Sequence, residues 1–264
     1  MAEITRNYHN DLQSVGLLHQ ENDLRAAAIN ETLDAIPNSQ KLPNPEQSPL
    51  NAPLTRSDID DTLRNVKLGT AAGPDEIPYE LWKHLDRDFE SDTKNEAPGF
   101  DVMKCMTKVI NNIQTHSIDP SMQFTLGHMC PIFKKKERDN IQNYRPITLL
   151  NTDYKLMTKA LATQLAKHAH TLIHPDQTGF IPKRTIFDPI RLAQTLCTYA
   201  DYMEEDGVIV ALDQEKAYNK IDHSYLEKVL QRFQLPDNFI NTVKSLYGNA
   251  HTAAIVNGEI SPTY

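Results

Sequence analysis

Two stretches of the chain carry residues suited to phosphate and metal chemistry. In VIVALDQEKAY, residues 208–218, an apolar run ends on Asp213, and Lys216 and Tyr218 follow within five positions. A carboxylate at the tip of a strand stands at the rim of a sheet, where a cleft can open. Mg²⁺ is a hard ion that takes oxygen ligands, commonly one or two protein carboxylates completed by water and substrate phosphate. Asp213 can be such a ligand, or it can cap the turn that follows. The second stretch, IFKKKERDNIQNYRPITLL, holds Lys134, Lys135, Lys136 and Arg145. A lysine offers phosphate a point charge, and an arginine can fork across two phosphate oxygens. The plainer reading is a solvated hairpin tip. The formal net charge of −8 repels polyanions on average, so any phosphate binding has to come from a local basic patch such as this one.

Other titratable residues have structural explanations. Asp222 is expected as the N-cap of a helix beginning at His223. Lys216 reads equally as a surface residue, and Tyr218 as packing under a sheet. His168, His170 and His174 cluster without a nearby cysteine, which fits surface helix positions better than a zinc site.

The elements that must position these groups follow from periodicity. Residues 1–36 read as a helical arm, with Leu12, Val15, Leu18, Leu33 and Ile36 at three- and four-residue steps. Five prolines between 37 and 54 mark a linker. A helix restarts at Thr55, where Thr55 and Asp58 have capping-box spacing. Region 55–120 is helical, broken by Gly69, Gly73 and Pro74; 86–99 reads as a loop and 100–115 as a helix. From 121 the texture changes to a strand, a basic tip and a second strand over 144–150, then a helix capped by Asn151 or Thr152. Helices are expected over 186–204, 223–233 and 238–247. Residues 208–212 read as a strand buried on both faces. Asn257-Gly258 is a type I′ signal for a hairpin over 251–264, one that would present an unpaired edge. The pattern is α+β.

Composition excludes several classes. Three separated cysteines, Cys105, Cys130 and Cys197, make no disulfide framework and fit a reducing compartment. No apolar run approaches the ~20 residues of a membrane span, and no secretory leader is evident at the start. The expectation is an intracellular protein, nuclear or cytoplasmic, with no membrane association.

Four blocks in order carry a resemblance. KLGTAAGPDEIPYELW, IFKKKERDNIQNYRPITLLNTDYKLMTKALATQL, HPDQTGFIPKRTIFDPIRL and IVALDQEKAYNKIDHSYL together resemble the reverse transcriptase domain of non-LTR (LINE-type) retrotransposons, over roughly residues 55–264. The resemblance implies a partial right-hand polymerase, with fingers and an incomplete palm at 121–264. The implied reaction is two-metal nucleotidyl transfer of a dNTP to a primer 3′-hydroxyl on an RNA template. It casts Asp213 as the first metal-binding aspartate, with the backbone carbonyl of Gln214 as a further Mg²⁺ ligand. Lys134 and Arg145 would hold the triphosphate. Tyr218 would pack under the sugar and reject a 2′-hydroxyl. Lys135, Lys136 and Arg184 would meet template or primer, Arg184 alternatively pairing with a nearby acid. Asn219 departs from the aspartate usual in the family. The blocks that carry the family's Asp-Asp pair and thumb do not follow in this sequence. One carboxylate cannot hold two cations about 4 Å apart, so the expectation is a fragment that polymerises only within a longer protein. A non-catalytic remnant that holds nucleic acid is the alternative.

Overall fold

The computed structural model describes residues 1–14, 23–119, 121–204, 206–214 and 216–264. Two helices open the chain, α1 (Ala2–Ser14) and α2 (Asp23–Asp34); Val15 and Leu18 of the expected arm lie outside the described residues. α1 buries a single stripe, Ala2, Thr5 and His9, at three- and four-residue steps.

The Pro-rich stretch differs from the expected linker. It folds into three short 3₁₀ turns, Asn38–Gln40, Pro45–Gln47 and Pro49–Asn51, and sinks Leu42, Leu50 and Leu54 to 1–2% exposure. Each burial is worth roughly 1.5–3 kcal/mol. The prolines forbid helix and ladder, but they do not prevent the leucines between them from packing. These leucines join one core with helix α3 (Arg56–Arg64), helix α5 (Val102–His116) and helix α6 (Thr152–Ala166), through Ile59, Met103, Ile110, Leu156 and Met157. Thr55 caps α3 in the expected box, each partner accepting from the other's backbone N–H. Helix α4 runs Tyr79–Lys94, through residues expected as loop; a run of charged residues is as compatible with a solvated helix face as with a loop.

The Gly-Pro-Asp segment is clamped to the start of α6. A Cβ on Gly73 would lie 2.2 Å from the Asn151 backbone nitrogen and 2.3 Å from the Leu150 carbonyl carbon, so only glycine permits the approach. The Asp75 N–H donates to the Asn151 side chain at 3.2 Å. Thr152 accepts from the Trp82 indole at 2.7 Å and donates to the Ile77 carbonyl at 2.8 Å.

The sheet is mixed, in the order β2-β1-β3-β4. Strands β1 (Leu126–Phe133) and β2 (Tyr144–Leu150) form the expected antiparallel hairpin, Phe133 opposite Tyr144. After β2 the chain passes through α6, helix α7 (Ala169–Leu172) and helix α8 (Phe187–Met203), then helix α9 (His223–Arg232) and helix α10 (Asp237–Gly248), before β3 (His251–Val256) pairs parallel with β1. A tight turn with Asn257 and Gly258 at positive φ returns it to β4 (Glu259–Ile260). The result is a mixed α/β architecture. β3 is therefore an inner strand, while β4, the outer strand of the expected 251–264 hairpin, leaves one edge of the sheet unpaired, as expected.

The largest correction concerns residues 208–212. They form no strand and lie open to solvent, Val208 at 88% and Leu212 at 92% exposure. The physical reason is that β1 already pairs with β2 on one side and β3 on the other, so the sheet centre offers no edge for this run to join. α8, which leads into it, buries none of its side chains.

Candidate nucleotide and metal site

The sheet and one turn bring two of the candidate residues together. Arg145 sits on β2 opposite Ile132 of β1, its side chain exposed. Tyr218 belongs to the 3₁₀ turn Ala217–Lys220 and is 78% exposed. Both line one cavity of about 520 Å³, together with Thr148, Asn219, Thr252 and Tyr264. That volume lies within the ~300–1,000 Å³ typical of small-molecule sites. Tyr264 is held there by a reciprocal pair of 3.0 Å backbone hydrogen bonds with Thr252, and burial raises its hydroxyl pKa.

The basic tip is built locally. The Lys134 N–H donates to the Asn143 carbonyl at 2.9 Å, closing the hairpin. The Asn143 amide donates to the Glu137 carbonyl and the Tyr144 hydroxyl to the Arg138 carbonyl, at 2.9 and 2.7 Å. The Arg138 guanidinium lies 4.8 Å from the centre of the Phe133 ring. Lys134, Lys135 and Lys136 remain exposed, and among the described residues neither they nor Arg145 makes an ion pair. Four positive charges at one end of the hairpin are thus available to a polyanion.

Asp213 is solvent-exposed in the open segment before the turn, and Gln214 lines a different cavity, of about 760 Å³, with Arg25, Lys220 and Asp222. Among the described residues no three His, Cys, Asp or Glu side chains gather as a metal cluster. Neither Asp213 nor Gln214 lines the cavity of Arg145 and Tyr218; the donors this segment offers are oxygens, the kind Mg²⁺ takes: one exposed carboxylate and the backbone carbonyl of Gln214. A set this small suits an ion that draws its remaining ligands from water and substrate phosphate.

Asp222 is the N-cap expected of it. It accepts from the Ser224 and Tyr225 N–H groups at 2.7 and 3.1 Å and from the Ser224 hydroxyl at 2.6 Å, and it pairs with Arg25 at 2.7 Å. The Ser224 hydroxyl, those amides and the Arg25 guanidinium hold its carboxyl far below the usual range, against the opposing effect of burial. Among the described residues Arg184 pairs with no acid; its guanidinium donates to the carbonyls of Ile173, His174 and Gln177 at 2.9, 2.5 and 2.7 Å and so braces the loop that precedes it. Among the described residues no helix is long and apolar enough to cross a membrane.

The contribution of α1 to this cavity was not legible in the sequence. His9 and Gln13 line the same cavity as Arg145 and Tyr218. The only local hint is the helical spacing of the two, and it does not say what that face meets.

The family described as reverse transcriptase (RNA-dependent DNA polymerase) matches residues 132–264, half of the chain. The chain is 29% identical over 221 residues to the transposon TX1 uncharacterized 149 kDa protein of Xenopus laevis, spanning 80% of this chain and 15% of that one. Two retrovirus-related Pol polyproteins from the type-1 retrotransposable element R2 are also similar. That of Nasonia vitripennis is 22% identical over 201 residues, 75% of this chain and 18% of its own. That of Popillia japonica is 25% identical over 166 residues, 60% and 23%. The chain thus spans less than a quarter of the length of each of these relatives.

Proposed function

Because the chain belongs to the reverse transcriptase (RNA-dependent DNA polymerase) family, in its non-LTR retrotransposon branch, we propose that the cavity between β2, β3 and the Ala217–Lys220 turn receives a deoxynucleoside triphosphate. The observation that carries this reading is that Arg145 and Tyr218, far apart in sequence, line one cavity of nucleotide size. Arg145 forks across phosphate oxygens, with Lys134 adding a point charge. Tyr218 presents a flat ring to the sugar and fills the space a 2′-hydroxyl would need. Lys135 and Lys136, at the tip, meet the phosphate backbone of the RNA template or DNA primer; Arg184, with three of its five donors engaged by carbonyls, acts through the loop it braces.

In this reading residues 121–264 form the fingers and part of the palm, and the reaction is transfer of the nucleotide to a primer 3′-hydroxyl. Asp213 and the Gln214 carbonyl would hold Mg²⁺. A bound Mg²⁺ supplies neutralisation of triphosphate charge. The protein's own residues bind the triphosphate, orient the sugar and hold the template strand.

The test is calorimetric titration of the chain with dTTP in Mg²⁺. Arg145→Ala is expected to weaken binding at least about tenfold, the loss expected for charge-assisted hydrogen bonds worth ~1.5–3 kcal/mol. Asp213→Asn is expected to remove the dependence of that affinity on Mg²⁺. Equal dTTP affinity in wild type and Arg145→Ala would refute the assignment.

A further inference from the structure

The turn that carries Tyr218 is tied to the N-terminal helix, which lies outside the family-matched residues 132–264. Lys216, the residue before that turn, has φ +51°, in the left-handed region that side chains other than glycine rarely adopt. Such a conformation persists where its surroundings over-determine it. A contact with one residue of α1 does so. The Lys216 ammonium donates to the Tyr8 hydroxyl, beyond the hydroxyl end of a ring whose centre is 4.6 Å away. α1 packs against β3 and against the turn itself. Residues close to both partners in sequence line the cavity: His9, buried at 3% exposure, and Gln13, one helical turn further on, from α1, and Tyr218 from the turn, beside Arg145.

We propose that Tyr8 is a positioning residue for the candidate nucleotide cavity: by holding Lys216 through its hydroxyl it fixes the turn and thereby the setting of Tyr218 against the sugar. The inference rests on the nucleotide reading above. α1 is then a built wall of the site and not an appendage to it.

Two measurements on the full chain test this. Amide hydrogen exchange over residues 216–220 reads the grip itself, and the ratio of UTP to dUTP dissociation constants reads the setting of Tyr218. In Tyr8→Ala the amides of the turn are expected to exchange about tenfold faster, as expected for loss of a charged hydrogen bond, and the ratio should fall toward one. Tyr8→Phe, which keeps the ring and its packing, should fall between wild type and Tyr8→Ala in both. Lys216→Met combined with Tyr8→Phe should add little to either single change, because the two share one contact. Exchange unchanged in Tyr8→Ala overturns the inference whatever the nucleotides do. A ratio that shifts in Tyr218→Ala but holds in Tyr8→Ala overturns the inference and leaves the nucleotide reading standing. A ratio that holds even in Tyr218→Ala overturns the sugar-gating reading and the inference with it.

Discussion

Replacing Asp222 separates two jobs that one side chain performs. Its carboxylate caps α9 through the Ser224 and Tyr225 N–H groups, and it anchors α2 through Arg25. Removing an N-cap acceptor costs ~0.5–2 kcal/mol, typically about 1. An ion pair with side chains 32% and 18% exposed is worth ~0.2–1 kcal/mol. Asp222→Ala loses both, about 2 kcal/mol. Asp222→Asn keeps a capping oxygen, since asparagine caps as well as aspartate, and loses only the charge, about 0.5 kcal/mol. At ~2–4 °C per kcal/mol for a chain of this size, the melting temperature should fall by roughly 4–8 °C for alanine and 1–2 °C for asparagine at pH 7. The pH dependence has a definite sign. The folded carboxyl lies well below the usual range and the unfolded one near ~3.9, so the contribution of the charge is complete above the unfolded value and is lost as pH falls below about 4. Melting curves from pH 7 to pH 2.5 should therefore show wild type converging on Asp222→Asn, whose cap does not titrate. Equal costs for the two substitutions at pH 7, or a gap to Asp222→Asn that ignores pH, would refute the division of labour.

Two further substitutions probe the clamp under the hairpin. Gly73→Ala drives a Cβ into the backbone of Leu150 and Asn151, atoms that no side-chain rotation can clear, and should cost ~1–3 kcal/mol; a urea midpoint equal to wild type would contradict the close approach. The Asp153 carboxyl is pushed up chiefly by burial, with Asp75 adding to the effect and the Tyr154 N–H opposing it. A folded pKa above the unfolded one favours folding at low pH and penalises it as pH rises through the folded value. Asp153→Asn keeps an acceptor for the Tyr154 N–H, 2.6 Å away, and should stabilise the chain at pH 7–8, with the gain shrinking as pH falls; destabilisation at pH 8 would count against it.

The features legible in the sequence are those decided within a few residues. The Thr55–Asp58 box, the Asp222 cap, the Asn257-Gly258 turn and the β1–β2 hairpin with its lysine tip each depend on residues close together in the chain, so the sequence alone determined them. The four ordered blocks likewise pointed to the family that matches residues 132–264. What tertiary structure decided was partnership. Leu42, Leu50 and Leu54 read as linker because prolines govern only local conformation, while burial depends on the core surface that α3, α5 and α6 present. Residues 208–212 have every local mark of an inner strand, yet a strand exists only where a neighbour offers an open ladder, and β1 has none left to give. Where α1 docks was equally hidden. Its buried stripe announces a face, but that the face meets β3 and that Tyr8 meets Lys216 are facts of three-dimensional contact between distant stretches, which no short-range pattern encodes.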